Sequence, residues 1–303
     1  MESALHDVLS NIPLEAVVFG EGRVTLMDCC PRLVPIENNT ARTPEFAIAR
    51  AARVSTGLGS KTVGADTNLI RFLYENNHTS PFEQVSVTFH LRVPKFVAIQ
   101  LLRHRTAKVN EFSQRYSEVP DAFYCPGALG IIRVPDPLQK QVSQETADQE
   151  KIGRLTALCL SIETKVQDLY GIYKELLANG MAREQSRTYL PIGVYTEIYF
   201  QMDLNNLCKF FSLRLAPDAQ YETREFVQAM YHLCLPLFPV TLGCLEDRLN
   251  GLVLTRSRLD SLKAGKSPKS ERQRVEWEQQ RKELAEIGYR VQAEELCPWL
   301  TEV

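Results

Sequence analysis

Residues 85–94 read Val85-Ser86-Val87-Thr88-Phe89-His90-Leu91-Arg92-Val93-Pro94, and residues 103–116 read Arg103-His104-Arg105-Thr106-Ala107-Lys108-Val109-Asn110-Glu111-Phe112-Ser113-Gln114-Arg115-Tyr116. The first stretch alternates strictly: Val85, Val87, Phe89, Leu91 and Val93 share one side, and Ser86, Thr88, His90 and Arg92 the other. That period of two belongs to a half-buried strand. Pro94 then reads as a helix opener, and Phe96–Arg105 has helical spacing that aligns Phe96, Gln100 and Arg103 in one row and Val97, Leu101 and His104 in the next. The polar groups thus emerge at the C-terminal end of an apolar-rooted helix, where the helix dipole favours cations.

Upstream, Thr43-Pro44-Glu45 supplies an N-cap, a proline at the first helical position and an acid in the first turn, which predicts a helix over 46–54. A second helix is expected over about 66–75, with Leu69, Ile70 and Leu73 on one face. Residues before 42 suggest a strand or two. Downstream, the prolines and glycines between Tyr116 and Pro137 indicate irregular surface structure. A long amphipathic helix follows over about 145–178, with Leu155, Leu158, Ile162, Val166, Leu169, Tyr173 and Leu177 near one stripe and Asn179-Gly180 as its C-cap. Further helices are expected over 181–189, 204–214 and 219–235.

The chain has 303 residues, 44% hydrophobic and 24% charged, the composition of a globular protein, with a formal net charge of -2. It carries no overall field that would collect nucleic acid or an anionic membrane, so recognition of phosphate must be local. No stretch approaches the roughly 20 apolar residues of a membrane helix. Met1–Leu14 lacks a basic start followed by an apolar run, so no secretory signal is expected. Its eight cysteines are scattered without metal-ligand spacing, which reads as reduced structural thiols in a cytoplasmic protein with no bound metal. Three regions are expected: an extension over 1–41, a main domain over 42–262, and a polar linker with a charged helix over 263–303.

The knot at 103–116 holds three arginines, a histidine and a glutamate. A guanidinium fork matches phosphate bidentately, and each charge-assisted contact is worth about 1.5–3 kcal/mol, so two or three of them can hold a nucleotide. Glu111, Ser113 and Arg115 alternate, and an extended backbone would point all three the same way. The carboxylate suits a ribose hydroxyl or a base N–H. The residue types alone leave a second reading open, in which this is a surface helix end whose arginines pair with neighbouring acids.

Arg103-His104-Arg105, seven intervening residues and Ser113 resemble the signature of the flavin-dependent thymidylate synthases (ThyX). The resemblance continues through Asn110-Glu111 and Arg115-Tyr116. It extends to Arg50–Ser55, His78 with Ser80-Pro81-Phe82-Glu83, Gln100, Arg187 with Leu190-Pro191, Tyr195-Thr196, and Leu213-Arg214 with Ala219-Gln220, all in family order across about residues 42–245.

The resemblance implies an α+β fold, a central antiparallel β-sheet with long helices, and a homotetramer whose sites lie at subunit interfaces. It also implies conversion of dUMP to dTMP, with methylenetetrahydrofolate as carbon donor and NADPH-reduced FAD as hydride source. No nucleic acid or membrane partner is implied. Gln100, Arg103, Glu111, Phe112, Ser113, Gln114, Arg115, Arg187 and Arg214 would bind dUMP, Ser113 and Arg115 on its phosphate. Arg214 would favour ionisation of the uracil at N3. Ser55, His78, Ser80, Glu83, Arg103, His104, Arg105, Glu111, Asp203, Asn205 and Lys209 would line the flavin.

Four positions depart from the family pattern. Lys108 stands where serine is usual, Asp203 and Asn205 where asparagine and arginine are, and Asp218 where histidine is. Losing an arginine at Asn205 removes a cation from the flavin pyrophosphate, which Lys108 or Lys209 would restore. Two alternatives accompany this reading: a related flavin- and folate-dependent enzyme acting on another pyrimidine nucleotide, or a non-catalytic nucleotide-binding relative.

Overall fold

A computed structural model describes residues 12–32, 34–35, 41–57, 62–139 and 141–250, together with 271, 274, 275 and 278. Two strands open it, β1 (Leu14–Val18) and β2 (Gly22–Cys30), joined by a tight turn in which Phe19 and Gly20 both have positive φ. That conformation matches the right-handed twist of a hairpin, and the ring of Phe19 packs edge-on against Tyr124 and Phe226. Two short strands, β3 (Val34–Pro35) and β4 (Ala41–Arg42), pair with each other. Helices α1 (Phe46–Arg53) and α2 (Val63–Glu75) follow.

The alternating stretch is β5 (Ser86–Pro94), which runs directly into α3 (Lys95–Leu101). Next come β6 (Lys108–Glu111), the small strands β7 (Arg133–Pro135) and β8 (Ser143–Glu145), the long helix α4 (Gln149–Ala178) and the single turn α5 (Arg183–Ser186). The chain returns through β9 (Tyr195–Asp203) to α6 (Leu204–Arg214), α7 (Tyr221–Cys234) and α8 (Pro239–Asn250). The main sheet has the order β1-β2-β5-β9-β6, and every neighbouring pair is antiparallel. This is the α+β arrangement of sheet and long helices expected from the sequence.

Val87, Phe89, Leu91 and Val93 of β5, and Ile198, Phe200 and Met202 of β9, are buried on one face. Leu207, Phe210 and Phe211 of α6 and Phe226, Val227 and Met230 of α7 join the same core. Each such side chain contributes about 1.5–3 kcal/mol on burial. The other face carries His90, Arg92, Glu197, Tyr199 and Gln201, none of them buried.

Several elements differ from the sequence reading. Helix α3 ends at Leu101 rather than Arg105, because His104 N–H bonds back to the Leu101 carbonyl and Ala107 N–H to that of His104, winding 102–107 into turns. Glu45 does not serve the first turn of α1. Its carboxylate is fully buried and accepts from Val240 N, Thr241 N (2.9 Å) and Thr241 Oγ1, capping α8 from about two hundred residues away. Helix α2 starts earlier than expected, at Val63, with Thr62 as its side-chain cap. Helix α4 starts later, at Gln149, capped by Asp148, and Leu158 and Ile162 of its expected stripe are 56% and 60% exposed. The 1–11 part of the N-terminal extension and most of 263–303 lie outside the described residues.

Candidate active site

Helix α6 delivers Arg214 from its last turn, and the turns after α3 deliver His104 beside it. Arg214 Nε donates to His104 Nε2 at 2.8 Å, and Nη2 donates to the Gln100 carbonyl at 3.2 Å. Both acceptors are neutral, and no carboxylate pairs with Arg214 among the described residues. A half-buried guanidinium is therefore held in place without being neutralised, and three of its five N–H donors remain free among those residues. Burial lowers the pKa of the guanidinium, yet arginine stays cationic at any working pH. The His104 ring meets the edge of Phe210 at 4.7 Å; burial first, and Arg214 second, lower its pKa below the ordinary 6.5. Accepting from Arg214 leaves Nε2 without a proton, so the imidazole is neutral here.

Gln100 is oriented from behind. Tyr124 Oη and Gln220 Nε2 both donate to the Glu222 carboxylate, at 3.1 and 2.9 Å, and Gln220 Oε1 accepts from Gln100 Nε2. A carboxylate only accepts, so it fixes which way the Gln220 amide is turned, and Gln220 in turn engages the Gln100 amide nitrogen rather than its oxygen. Sequence reasoning does not find Glu222 or Tyr124, because nothing in their local pattern marks them.

Strand β6 ends at Glu111, whose Oε1 accepts from Lys95 Nζ at 2.5 Å and from Thr196 Oγ1 at 2.9 Å. Beyond it the chain does not stay extended: Tyr116 N–H and Ser117 N–H both bond to the Ser113 carbonyl, so Gln114 and Arg115 sit in a turn. The expected alignment of Glu111, Ser113 and Arg115 is thus replaced by a bend. Arg115 N–H approaches Ser113 Oγ at 3.4 Å, and its guanidinium reaches Glu184 at 3.0 and 3.1 Å. Both partners of that pair are about half exposed, so it is worth at most about 1 kcal/mol. Phe112 and Gln114 are half-buried around this bend. Arg187, half-buried in a 3-10 turn after α5, has no ion-pair partner among the described residues.

The residues assigned to the flavin gather in part around the start of α6. Asp203 is its N-cap, with Oδ1 accepting from Asn206 N at 2.9 Å and Oδ2 from Asn206 Nδ2 at 2.7 Å. Asn205 Nδ2 donates to Glu83 Oε1 at 3.3 Å. Asp203 thus serves as a helix cap, a role asparagine fills equally well, and both its oxygens are engaged by Asn206. Ser80 and Glu83 lie in a 3-10 turn, and exposed His78 sits edge-on to Phe72 at 6.0 Å. Ser55, exposed, lies in the turn after α1 and is not brought into hydrogen-bond contact with the others. Arg103, Arg105 and Lys209 are exposed cations without an ion-pair partner among the described residues, and Lys108 is another. Arg103, Arg105, Lys108 and Lys209 thus have charge available for an anionic group, and a pyrophosphate is such a group, so the residues present are compatible with FAD.

Residues 38–240 match the family described as "Thymidylate synthase complementing protein". A flavin-dependent thymidylate synthase from Dictyostelium discoideum is 38% identical over 273 residues, spanning 89% of this chain and 87% of that one. Another, from Thermus thermophilus, is 43% identical over 224 residues, 73% of this chain and 79% of its own. Among solved structures, a UMP/dUMP methylase from Streptomyces cacaoi bound with 5-Br UMP superposes with a TM-score of 0.61 at 29% identity, covering 74% of this chain and 93% of that one. The same enzyme bound with 5-Br dUMP gives 0.58 at 32% identity, covering 72% and 95%.

Proposed function

Because the chain belongs to the family of flavin-dependent thymidylate synthases, we propose that Arg214, Gln100 and Arg115 together bind dUMP for methylation to dTMP. The protein is a flavin-dependent enzyme of the methyltransferase type. Beyond that, methylenetetrahydrofolate is the carbon donor and NADPH the reductant in our reading. The observation that carries it is Arg214: a half-buried cation fixed by two neutral acceptors, with donors left over for an anion.

Ser113 and Arg115 hold the phosphate, Arg115 leaving Glu184 for it. Arg187 adds a second cation, and Arg103 a third shared with the flavin. Arg214 faces the base and stabilises the negative charge that develops when N3 ionises, which makes C5 a better nucleophile. Reduced FAD, when bound, supplies the hydride that completes the methyl group. Arg103, His104, Arg105, Ser80, Glu83, Glu111, Asn205 and Lys209 hold it, with His78 and Ser55 at the margins. No cysteine is required: Cys208, the one nearest these blocks in sequence, is buried in the core.

Assembly into a homotetramer is supported by α4. Of its 30 residues only Tyr173 is buried, while Leu158, Leu160, Ile162 and Ile172 are exposed, an apolar surface that a second copy would cover. A cytoplasmic location accords with the free cysteines of the described residues. None of the described helices is long and apolar enough to cross a membrane.

A second reading, in which UMP is also a substrate, is favoured by the similarity to a UMP/dUMP methylase. An anaerobic assay with methylenetetrahydrofolate, NADPH and FAD, run with dUMP, UMP and dCMP and read by mass spectrometry, separates the two. Methylated product from dUMP alone supports the first reading; equal product from UMP supports the second; none from any of them refutes both.

A further inference from the structure

Glu111, 21% exposed and paired with buried Ile198 on the core-facing side of the sheet, is held by two donors. Strands β5 and β6 flank β9, with Val93 opposite Thr196 and Glu111 opposite Ile198. Helix α3 starts one residue after β5 ends, and its first N–H, that of Lys95, bonds to the Val194 carbonyl at 2.8 Å. The Lys95 ammonium and the buried Thr196 hydroxyl are thereby brought to the carboxylate from two different strands' ends. Both donate to the same oxygen, Oε1. Among the described residues, Oε2 accepts from none.

We propose that Lys95, together with Thr196, is a positioning residue that clamps Oε1 of Glu111 and so presents Oε2 to a hydroxyl or N–H donor of the bound nucleotide. An ionised carboxylate has no proton to offer, so its free oxygen can take only a donor. The clamp does a second thing. It sets a cation beside an acid, so that Glu111 does not repel the phosphates that Arg103, Arg115 and Arg187 would attract in the proposed site. Nothing in the motif that contains Glu111 points to Lys95, which as the first residue of a helix reads as a solvated side chain.

The proposal rests on the assignment of this site to dUMP, and its test keeps the two apart. Steady-state constants for dUMP are measured for wild type, Lys95→Met, Lys95→Arg, Glu111→Gln and the double variant Lys95→Met/Glu111→Gln, with thermal melting as a check on folding. Loss of a charge-assisted contact that orients a ligand predicts a KM for dUMP raised about tenfold in Lys95→Met, with kcat changed less. Lys95→Arg should recover most of it. In the Glu111→Gln background the Lys95→Met change should have little further effect, because the two residues act as one unit.

Equal effects of Lys95→Met with and without Glu111 would overturn the clamp, as would a KM within about twofold of wild type. If melting shows Lys95→Met to be unfolded, the decision passes to Lys95→Arg and Thr196→Val: wild-type KM values in Thr196→Val then overturn it. A wild-type protein that neither binds nor converts dUMP is a different failure, which overturns the site assignment and the clamp's ligand with it.

Discussion

Arg214 Nε lies 2.8 Å from His104 Nε2, a bond between a permanent cation and a ring nitrogen that can accept only while it is unprotonated. Protonating His104 would turn that acceptor into a donor and set two cations against each other. Because burial and Arg214 lower its pKa, the neutral ring persists to below the ordinary 6.5. Conversion of dUMP should therefore show an acid limb below that value. His104→Phe, which keeps the contact with Phe210 but loses the acceptor, should lower kcat about tenfold to a hundredfold and abolish the limb. An unchanged pH profile in the variant would contradict this role.

Glu45 should make the fold itself sensitive to pH. Burial outweighs the donors of Val240 and Thr241 and pushes its pKa from 4.5 up to about 7. A carboxylate raised in this way adds stability below its unfolded value, and that stability is lost as pH rises through about 7. The wild type should lose on the order of 3 kcal/mol relative to Glu45→Gln between about pH 4.5 and 8. Urea titrations of both proteins across that range check it; parallel curves would show that the Glu45 pKa is the same in the folded and unfolded states and contradict the shift.

Arg53 and Asp66 form an ion pair that joins α1 to α2, with side chains only 8% and 3% exposed. The Arg53 carbonyl also accepts from Thr56 Oγ1 in the turn that carries Ser55. Asp66→Asn strands a buried cation and should cost about 3–5 kcal/mol, whereas Arg53→Met with Asp66→Leu should cost much less. Denaturant unfolding distinguishes the two.

Lys209, exposed on α6, is our candidate for the charge lost where the family's arginine is replaced by Asn205. Lys209→Ala should weaken FAD binding about fivefold, the worth of one exposed cation on a phosphate. Flavin fluorescence titration reads this directly, and an unchanged affinity would remove Lys209 from the site.

Much of this is open to a reader of the sequence, and the exceptions share a cause. Strand β5 declares itself because alternation is local, and α6 because its row of Leu207, Phe210, Phe211 and Arg214 lies within about a dozen residues. Glu45 misleads because a carboxylate in the first turn of one helix is indistinguishable, on local pattern, from one that caps another helix far along the chain. Lys95, Glu222 and Glu184 escape notice for the same reason, each acting on a site residue that only the tertiary fold brings near. The end of α3 is illegible because hydrogen bonds at Leu101 and His104 override a helical spacing that is otherwise intact. Asp203 reads as a disturbance of the flavin site, and its geometry shows a helix cap.

All of the site residues derive their meaning from one claim, that stretches around positions 100, 113, 187 and 214 close on a single nucleotide next to a flavin. A crystal structure of the protein with dUMP and FAD tests it most directly. Such a structure should show Ser113 and Arg115 on the phosphate, Arg214 against the uracil, and the flavin ring stacked over the base with Arg103 and Lys209 near its phosphates. Arg115 and Arg214 found remote from the bound nucleotide would contradict it.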